Sequence, residues 1–482
     1  MSRTAAGIAV VVTDHIPERG LALASESGDV TIVRPDVMQL DLAVTPPYLA
    51  RSYACYRALR ERKFAAAVFA DVGGDAYCAV RARETGTGLS ETRLVVDCVA
   101  PTLRRIELDG IPFLSKNVLG TAVAERLALE LADGYLCADP EVNEWLHASR
   151  WRLPKRLNTP LEGDRTLSRA NVALRQERPL VSVVVPYHER TQYLPFCLDG
   201  LARQTFSPLE VIVADDCSTS AAAHAQLAEI SKRTWPWPLR VIRSHGGGPE
   251  QARNDGWQAA SGELVTFIDD DDVPFDDMVD TLWRGRETSG VDVAVGGGRF
   301  FRGDGVPSPH HGDVIRIPLC DPHELGLVSN QYGGPVALWP RALLESLGGF
   351  DTSPVEDWLL LARANARGVR LTAPPDPVFW YRQTAKSRHS PDPVKMRDAA
   401  VPQLADVFAE RLPDDLRLLP RLAAGAYAEL ERRARAEQPR TRVVRSRVQG
   451  FAQRARRIQS EEGTAAAARD ALRFLARRIA RR

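Results

Sequence analysis

Long apolar runs are missing from this sequence of 482 residues: no stretch approaches the roughly 18–20 residues needed to span a bilayer. The apolar residues 5–12 are followed by polar Thr13, Asp14 and His15, which favours a buried strand over a signal peptide. Paired cysteines are missing too, because the seven Cys are scattered, odd in number and never in a C-x-x-C pair. This pattern argues against a disulfide framework or a zinc site and predicts a reducing, cytoplasmic compartment.

An excess of one charge is also missing, since the formal net charge is only +1. The chain therefore shows no nucleic-acid footprint, and we expect no nucleic-acid partner. The balance hides an asymmetry: residues 440–482 contain thirteen Arg and three acidic residues, a net charge of +10. An amphipathic, arginine-rich helix in this tail has two interpretations. It either makes peripheral contact with the inner face of the plasma membrane or packs on protein.

Two series of short apolar runs alternate with helical patterns, which predicts two α/β domains. Residues 1–152 form the first series and predict a Rossmann-like, doubly wound parallel sheet. Its strand candidates are residues 8–12, 30–33, 66–69, 94–96 and 134–137, and its clearest helical patterns are residues 47–62 and 118–132.

The second series predicts a separate domain over residues 179–390, after a polar, proline-containing linker at residues 153–178. Residues 181–185 are nearly all β-branched, as a strand buried on both faces requires. Further strands are predicted at residues 210–214, 239–242 and 264–268, and a helix at residues 193–204. Residues 391–482 form a helical, basic C-terminal region.

Four adjacent carboxylates, residues 269–272, follow the predicted strand 264–268. Open α/β sheets bind ligands at the carboxyl ends of their strands. Adjacent carboxylates repel one another, and hard cations such as Mg²⁺ or Mn²⁺ relieve that repulsion through oxygen ligands shared with substrate phosphates. A solvated acidic turn is the alternative interpretation.

Four other positions allow both a structural and a functional interpretation. Asp216 follows a strand and either caps a helix or accepts a hydrogen bond from a nucleoside. Tyr187 either packs or stacks on a base. Arg253 follows three glycines and is either a surface residue or a diphosphate contact. Asp357, next to Glu356, is either a first-turn acid favoured by the helix dipole or a general base.

The ordered set of motifs is more informative than any member. It reads V-V-V-P-Y-H-E, Q-T-F-S-P-L-E-V-I-V-A-D-D-C-S-T, A-R-N-D-G, G-E-L-V-T-F-I-D-D-D-D, L-G-G-F-D, E-D-W and Y-R, in that order. In order and spacing this closely resembles the family 2 glycosyltransferases, which are inverting enzymes of the GT-A fold. The resemblance implies a GT-A nucleotide-sugar-binding domain with a mixed, mostly parallel sheet.

The resemblance also implies roles for individual residues. The nucleotide-sugar would be contacted by Pro186, Tyr187, Glu189, Asp216, Arg253 and Asp269. Asp269 and Asp271 resemble the D-x-D pair that holds Mg²⁺ or Mn²⁺. Asp357 resembles the catalytic base, with Glu356 beside it. The sequence departs from the family pattern at His188, where Asn is usual, and at Cys217, where Gly is usual.

The first domain resembles the N-terminal half of a GT-B glycosyltransferase, without its glycine-rich loop, and we expect it to be non-catalytic. The resemblances together imply an inverting, metal-dependent glycosyltransferase of cell-envelope or polysaccharide biosynthesis. Its donor would be a nucleotide-sugar, with a UDP-sugar expected ahead of a GDP- or dTDP-sugar. Its acceptor would be a hydroxyl of a glycan or a lipid-linked glycan. The alternative is a non-catalytic glycan-binding or scaffold protein with a relic site.

Overall fold

The computed structural model describes residues 7–409 except 14–17, 28, 38–39, 41, 111–114, 150, 163–173, 176, 309–313, 354 and 385–392. Met1–Arg421 is one compact unit, and the second, Leu422–Arg482, lies outside the described residues. The basic tail at residues 440–482 also lies outside them, so both interpretations of it stay open.

The first sheet is parallel, with strand order β2-β1-β4-β5-β6. Its strands are β1 (Ile8–Val11), β2 (Val30–Val33), β4 (Ala66–Ala70), β5 (Arg93–Cys98) and β6 (Gly134–Cys137). The accompanying helices are α1 (Glu18–Ser27), α2 (Ala50–Leu59), α3 (Tyr77–Glu84), α4 (Thr102–Asp109), α5 (Lys116–Leu131) and α6 (Pro140–Ala148). The predicted linker begins against this sheet, because Arg156 forms a parallel bridge with Tyr135.

The second sheet is mixed and mostly parallel, with strand order β16-β12-β15-β10-β7-β8-β9. Its strands are β7 (Val181–Tyr187), β8 (Leu209–Asp215), β9 (Leu239–Arg243), β10 (Leu264–Phe267), β12 (Val293–Val295), β15 (Ala337–Pro340) and β16 (Leu371–Thr372). Every residue of β7, β8 and β10 is buried, which explains their continuous apolar sequences. The α/β class with a mixed, mostly parallel sheet is thereby confirmed.

Seven helices accompany this part of the described chain. They are α7 (Leu194–Ala202), α8 (Ala221–Lys232), α9 (Pro249–Gln258), α10 (Met278–Ser289), α11 (Arg341–Leu347), α12 (Glu356–Ala366) and α13 (Pro393–Ala409). α11 ends at Gly348, whose φ of 82° is a left-handed conformation that glycine adopts without steric cost. The helix and the glycines after it bring the chain back to α12, which carries the predicted acid pair.

The third sheet joins the two α/β parts. Its strand order is β11-β17-β13-β14-β3. Four strands come from the second part: β11 (Val273–Pro274), β13 (Gly297–Arg302), β14 (Val314–Arg316) and β17 (Pro377–Gln383). The fifth, β3 (Ala43–Thr45), comes from the first part and pairs with β14 in parallel. One apolar core continues across the junction, since Ile315 and Ile317 pack with side chains of the first part.

Candidate active site

A cavity of about 850 Å³ opens where β7, β8 and β10 end. Pro186 and Tyr187 close β7, Asp216 follows β8, and the four acids follow β10. Parallel strands bring their carboxyl ends to one edge, which explains why residues far apart in sequence meet there. Seven acidic residues line the cavity: Asp216, Asp269, Asp270, Asp271, Asp272, Glu356 and Asp357.

Arg253 connects the acids that follow β10 with the acid pair on α12. It lies on α9, which starts after Gly246, Gly247 and Gly248, all with positive φ. The residue is only 3% exposed. Nη2 donates to Asp269 at 2.6 Å and Nη1 donates to Glu356 at 2.8 Å. Burial raises the pKa of the Glu356 carboxyl, and the charge of Arg253 lowers it.

The other three acids of the cluster are held by two arginines that the sequence did not single out for a role. Arg190 Nη1 contacts Asp270 at 2.9 Å and Asp271 at 2.8 Å. The backbone N–H of Arg382 donates to Asp272 at 2.9 Å. Burial raises the pKa of all three carboxyls, and their negative neighbours raise it further, whereas Arg190 lowers the pKa of Asp270 and Asp271.

This concentration of carboxylates fits a divalent cation. Asp270 Oδ2 is buried without a hydrogen-bond partner in the described part of the chain. Among those same residues, no three His, Cys, Asp or Glu side chains converge to hold an ion by themselves. A cation at Asp269 and Asp271 would therefore complete its coordination with oxygens from a bound diphosphate or with water.

Glu356 and Asp357 point to different partners although they are adjacent at the start of α12. Glu356 is turned toward Arg253, as described above. Asp357 lines the cavity, and its Oδ1 accepts a hydrogen bond from the N–H of Trp358 at 2.8 Å. A Cβ added to Gly334 would lie 3.9 Å from Asp357 Oδ2, so this glycine lies beside the carboxylate. The geometry leaves Asp357 facing the cavity.

Three further residues predicted to contact the nucleotide-sugar also line the cavity: Pro186, Tyr187 and Asp216. Tyr187 lines the cavity but is only 1% exposed, and its hydroxyl donates to Gln226 at 3.2 Å. Asp216 lines the cavity and accepts a hydrogen bond from the N–H of Gly248 at 3.3 Å. Pro186 also lines it, and His188 Nδ1 lies 2.7 Å from the backbone oxygen of Asp216.

Glu189 is the predicted cavity residue that the structure places elsewhere. It is not among the residues that line the cavity. Its carboxylate accepts hydrogen bonds from the N–H groups of Thr219 and Ser220 and from the Ser220 hydroxyl, just before α8. These bonds lower the pKa of Glu189 to about 2. The carboxylate of Glu189 is thus held by groups at the start of α8, and its contact with the nucleotide-sugar stays a prediction.

Cys217, the second departure from the family pattern, has a φ of 56°. A non-glycine residue in this left-handed region is uncommon, and glycine takes it at no steric cost. The backbone at this position therefore keeps the conformation that suits the usual glycine.

Several cavity residues were missed by sequence reasoning. Eight cavity residues lie on the third sheet: Gly298, Phe300, Arg302, Arg316, Phe379, Tyr381, Arg382 and Gln383. Tyr381 belongs to the Y-R motif, and the alternation of side chains along β17 and β13 could have placed its neighbours on the same face. Arg316 lies in a short strand with no motif, and no signal in the sequence points to it.

Comparison with known proteins identifies the central region. Residues 182–338 match the family described as "Glycosyl transferase family 2". The chain is 33% identical over 118 residues to "Glycosyltransferase GlyG" of Streptococcus pneumoniae, which covers 24% of this chain and 38% of that protein. It is 28% identical over 215 residues to the "Poly(ribitol-phosphate) beta-glucosyltransferase" of Bacillus spizizenii, covering 43% of this chain and 33% of that protein. These matches thus span little more than a third of the relatives' lengths.

Among solved structures, residues 1–349 of S. aureus TarS in complex with UDP-GlcNAc show a TM-score of 0.37 at 22% identity. That match covers 49% of this chain and 72% of the TarS chain. In the described part of the present chain, no helix has both the length and the apolar character needed to cross a membrane.

Proposed function

Since residues 182–338 form a glycosyl transferase family 2 domain, we propose that the protein transfers a sugar from a nucleoside-diphosphate donor to an acceptor hydroxyl with inversion. One observation carries this proposal. The Asp269–Arg253–Glu356 bridge ties the acids that follow β10 to α12, so that Asp357 and the acid cluster line the same cavity. A donor diphosphate and a general base would thereby meet around one anomeric carbon.

The residues divide into a donor side and an acceptor side. Asp269 and Asp271 would hold Mg²⁺ or Mn²⁺, and the bound ion would supply charge neutralisation at the diphosphate. Arg253 adds a fixed positive charge at this end of the cavity. Pro186, Tyr187 and Asp216 would form the wall for the nucleoside.

Asp357 would accept the proton of the acceptor hydroxyl as its oxygen attacks the anomeric carbon. The bond to the nucleoside diphosphate breaks on the opposite side of that carbon, so a single displacement inverts the centre. Glu356 does not serve as a second base, because its carboxylate is paired with Arg253. Its place in the proposal is to hold Arg253.

For substrates, we propose a UDP-sugar ahead of a GDP- or dTDP-sugar, and a glycan or lipid-linked glycan as acceptor. The name of the Bacillus spizizenii relative, a poly(ribitol-phosphate) glucosyltransferase, supports an envelope polymer as the setting. The first α/β part would be non-catalytic. Cytoplasmic placement, with peripheral membrane contact through the basic tail, belongs to the same proposal.

The test is a screen of the whole protein with UDP-, GDP- and dTDP-sugars, with and without Mn²⁺. Release of nucleoside diphosphate and the mass of the glycosylated product are measured together. The proposal expects one donor class to turn over and the metal to stimulate it. Failure of every donor to bind in a calorimetric titration would favour the alternative, a non-catalytic glycan-binding or scaffold protein.

A further inference from the structure

One wall of the cavity is formed by the third sheet. Alternate residues of a strand point to the same face, and this face includes three aromatic and two arginine side chains that line the cavity. From β17 come Phe379 and Tyr381, from β13 come Phe300 and Arg302, and from β14 comes Arg316. Phe300, Phe379 and Tyr381 are called the aromatic wall below, and Arg302 and Arg316 are called its two arginines.

The aromatic wall is a packed surface of three rings. Phe300 and Tyr381 lie edge to face with centroids 5.1 Å apart, and Phe379 and Tyr381 are 6.5 Å apart. Gly298 contributes by having no side chain, since a Cβ there would lie 2.9 Å from the Phe379 ring. Flat apolar faces of this kind suit the C–H faces of a sugar ring or a polyol.

The two arginines differ from Arg190 and Arg253. Arg190 and Arg253 each contact two carboxylates. Arg302 and Arg316 form no ion pair with any residue that the structure describes. Arg302 is exposed and donates to Gln383, and half-buried Arg316 donates to the backbone oxygen of Asn330 at 2.9 Å. Both guanidiniums therefore keep donors for an anion that enters the cavity.

Arg316 lies on the side of the proposed base. Its Nη2 donates to the Asn330 oxygen, and Asn330 Nδ2 donates to the Gly333 oxygen at 2.9 Å. The next residue, Gly334, lies beside Asp357 Oδ2. Arg316 and Asp357 both line the cavity, so a ligand in it can contact both.

The first α/β part fixes the strand that carries Arg316. β3 pairs with β14 so that Thr45 lies opposite Arg316, and the N–H of Ile317 donates to the Thr45 oxygen at 2.9 Å. Tyr48, which follows β3, donates to Gln331 at 2.8 Å. The position of Arg316 thus depends on the first α/β part, which the proposed function treats as non-catalytic.

We propose that the aromatic wall and its two arginines form an acceptor subsite for a sugar or polyol that carries an anionic group, with Arg316 as the main anion contact. The inference rests on the proposed function and adds the charge of the acceptor to it. Partial burial of the Arg316 guanidinium without an ion pair costs free energy. A bound phosphate or carboxylate would offset that cost with charge-assisted hydrogen bonds.

The experiment measures binding to the whole protein saturated with UDP and Mn²⁺, so that the donor side is filled. Calorimetric titrations compare the phosphate monoester of glucose, glucuronate and methyl glucoside, which share a pyranose ring and differ in charge. A charge-assisted hydrogen bond predicts that at least one anion binds about tenfold tighter than methyl glucoside. Preference for the monoester identifies a phosphate acceptor, and preference for glucuronate a carboxylate acceptor.

The variants are Arg316→Gln, Arg316→Lys and, as a matched control, Arg299→Gln. Arg299 lies on β13 but lines a different cavity, with its guanidinium over the Trp380 ring. Arg316→Gln should abolish the anion preference, Arg316→Lys should keep part of it, and Arg299→Gln should keep all of it. UDP affinity within about twofold of the wild type in each variant shows that the donor site is intact.

Equal binding of neutral and anionic sugars, no binding of any of them, or a preference that survives Arg316→Gln would overturn the inference. Failure of the wild type to bind any nucleoside diphosphate is a separate result, and it counts against the proposed function. In that case the same titrations on the ligand-free protein still decide whether Arg316 selects anions.

Discussion

Replacing Arg253 with Met removes the charge that holds Asp269 and Glu356 together while keeping most of the side-chain length. Removing one partner of a buried ion pair costs about 3–5 kcal/mol, because the remaining charge is left uncompensated. The two carboxylates differ in how well water can reach them: the Glu356 side chain is 11% exposed and that of Asp269 is 29% exposed. Because Asp269 recovers part of its hydration, we expect Arg253→Met to lower the free energy of unfolding by about 3 kcal/mol, near the lower limit of that range.

The assay is urea unfolding of the wild type, Arg253→Met, Glu356→Gln and the double variant. The double variant should be more stable than Arg253→Met, because it no longer buries an unpaired carboxylate. That ordering separates a charge effect from a packing effect, since Arg253→Met and the double variant both lack the contact of Arg253 with the Phe350 ring.

The pH dependence supplies a second check. Burial raises the pKa of Glu356 above its ordinary 4.5, so this residue takes up a proton more readily in the folded state. Glu356 therefore stabilises the folded protein relative to neutral pH when the pH is below 4.5, and this stabilisation is lost as the pH rises through the raised pKa. Without Arg253 the pKa of Glu356 rises further. The loss of unfolding free energy caused by Arg253→Met should therefore be largest at neutral pH and should shrink toward about pH 4.5. A penalty under about 1 kcal/mol, or one that grows on acidification, would refute the reasoning.

Two further predictions concern the metal and a helix cap. Asp271→Asn should raise the Mn²⁺ concentration needed for half-maximal turnover by about tenfold or more, and an unchanged Mn²⁺ titration would remove Asp271 from the metal site. Glu189→Gln should lower the melting temperature and leave the donor KM unchanged, since Glu189 binds Ser220, the N-cap residue of α8, outside the cavity. Because the pKa of Glu189 is lowered, this carboxylate stabilises the fold at pH values above its ordinary pKa of 4.5, and the stabilisation is lost as the pH falls toward about 2. The melting temperatures of the wild type and Glu189→Gln should therefore converge over that interval of pH. A changed donor KM with an unchanged melting temperature would return Glu189 to the donor site.

The strands that carry the site follow from the sequence because each is buried on both faces. The run of β-branched residues in β7 and the apolar run before Asp269 have no helical period and are bounded by turn residues, and the structure places strands there. The meeting of Asp216 and Asp269 in one cavity follows from the rule that ligands bind at strand ends, whereas Asp357 reaches the cavity from the start of α12.

The features that the sequence did not predict depend on contacts between distant segments. The pairing of Arg253 with Glu356 joins residues 103 positions apart, and no local pattern encodes it. β3 is three residues long and pairs with a strand from the other α/β part, so neither its length nor its period identifies it. Glu189 fits the family motif, but its partners are N–H groups of the next loop, and a motif does not report partners.

The most direct test of the central claim is single-turnover transfer by Asp357→Asn beside donor binding by the same variant. The substitution keeps the shape of the side chain and removes the carboxylate that would accept the proton. Loss of a general base lowers the rate by about 100- to 10,000-fold, while affinity for the nucleotide-sugar with Mn²⁺ should match the wild type. Transfer at the wild-type rate, with donor affinity unchanged, would contradict the assignment of Asp357 as the base.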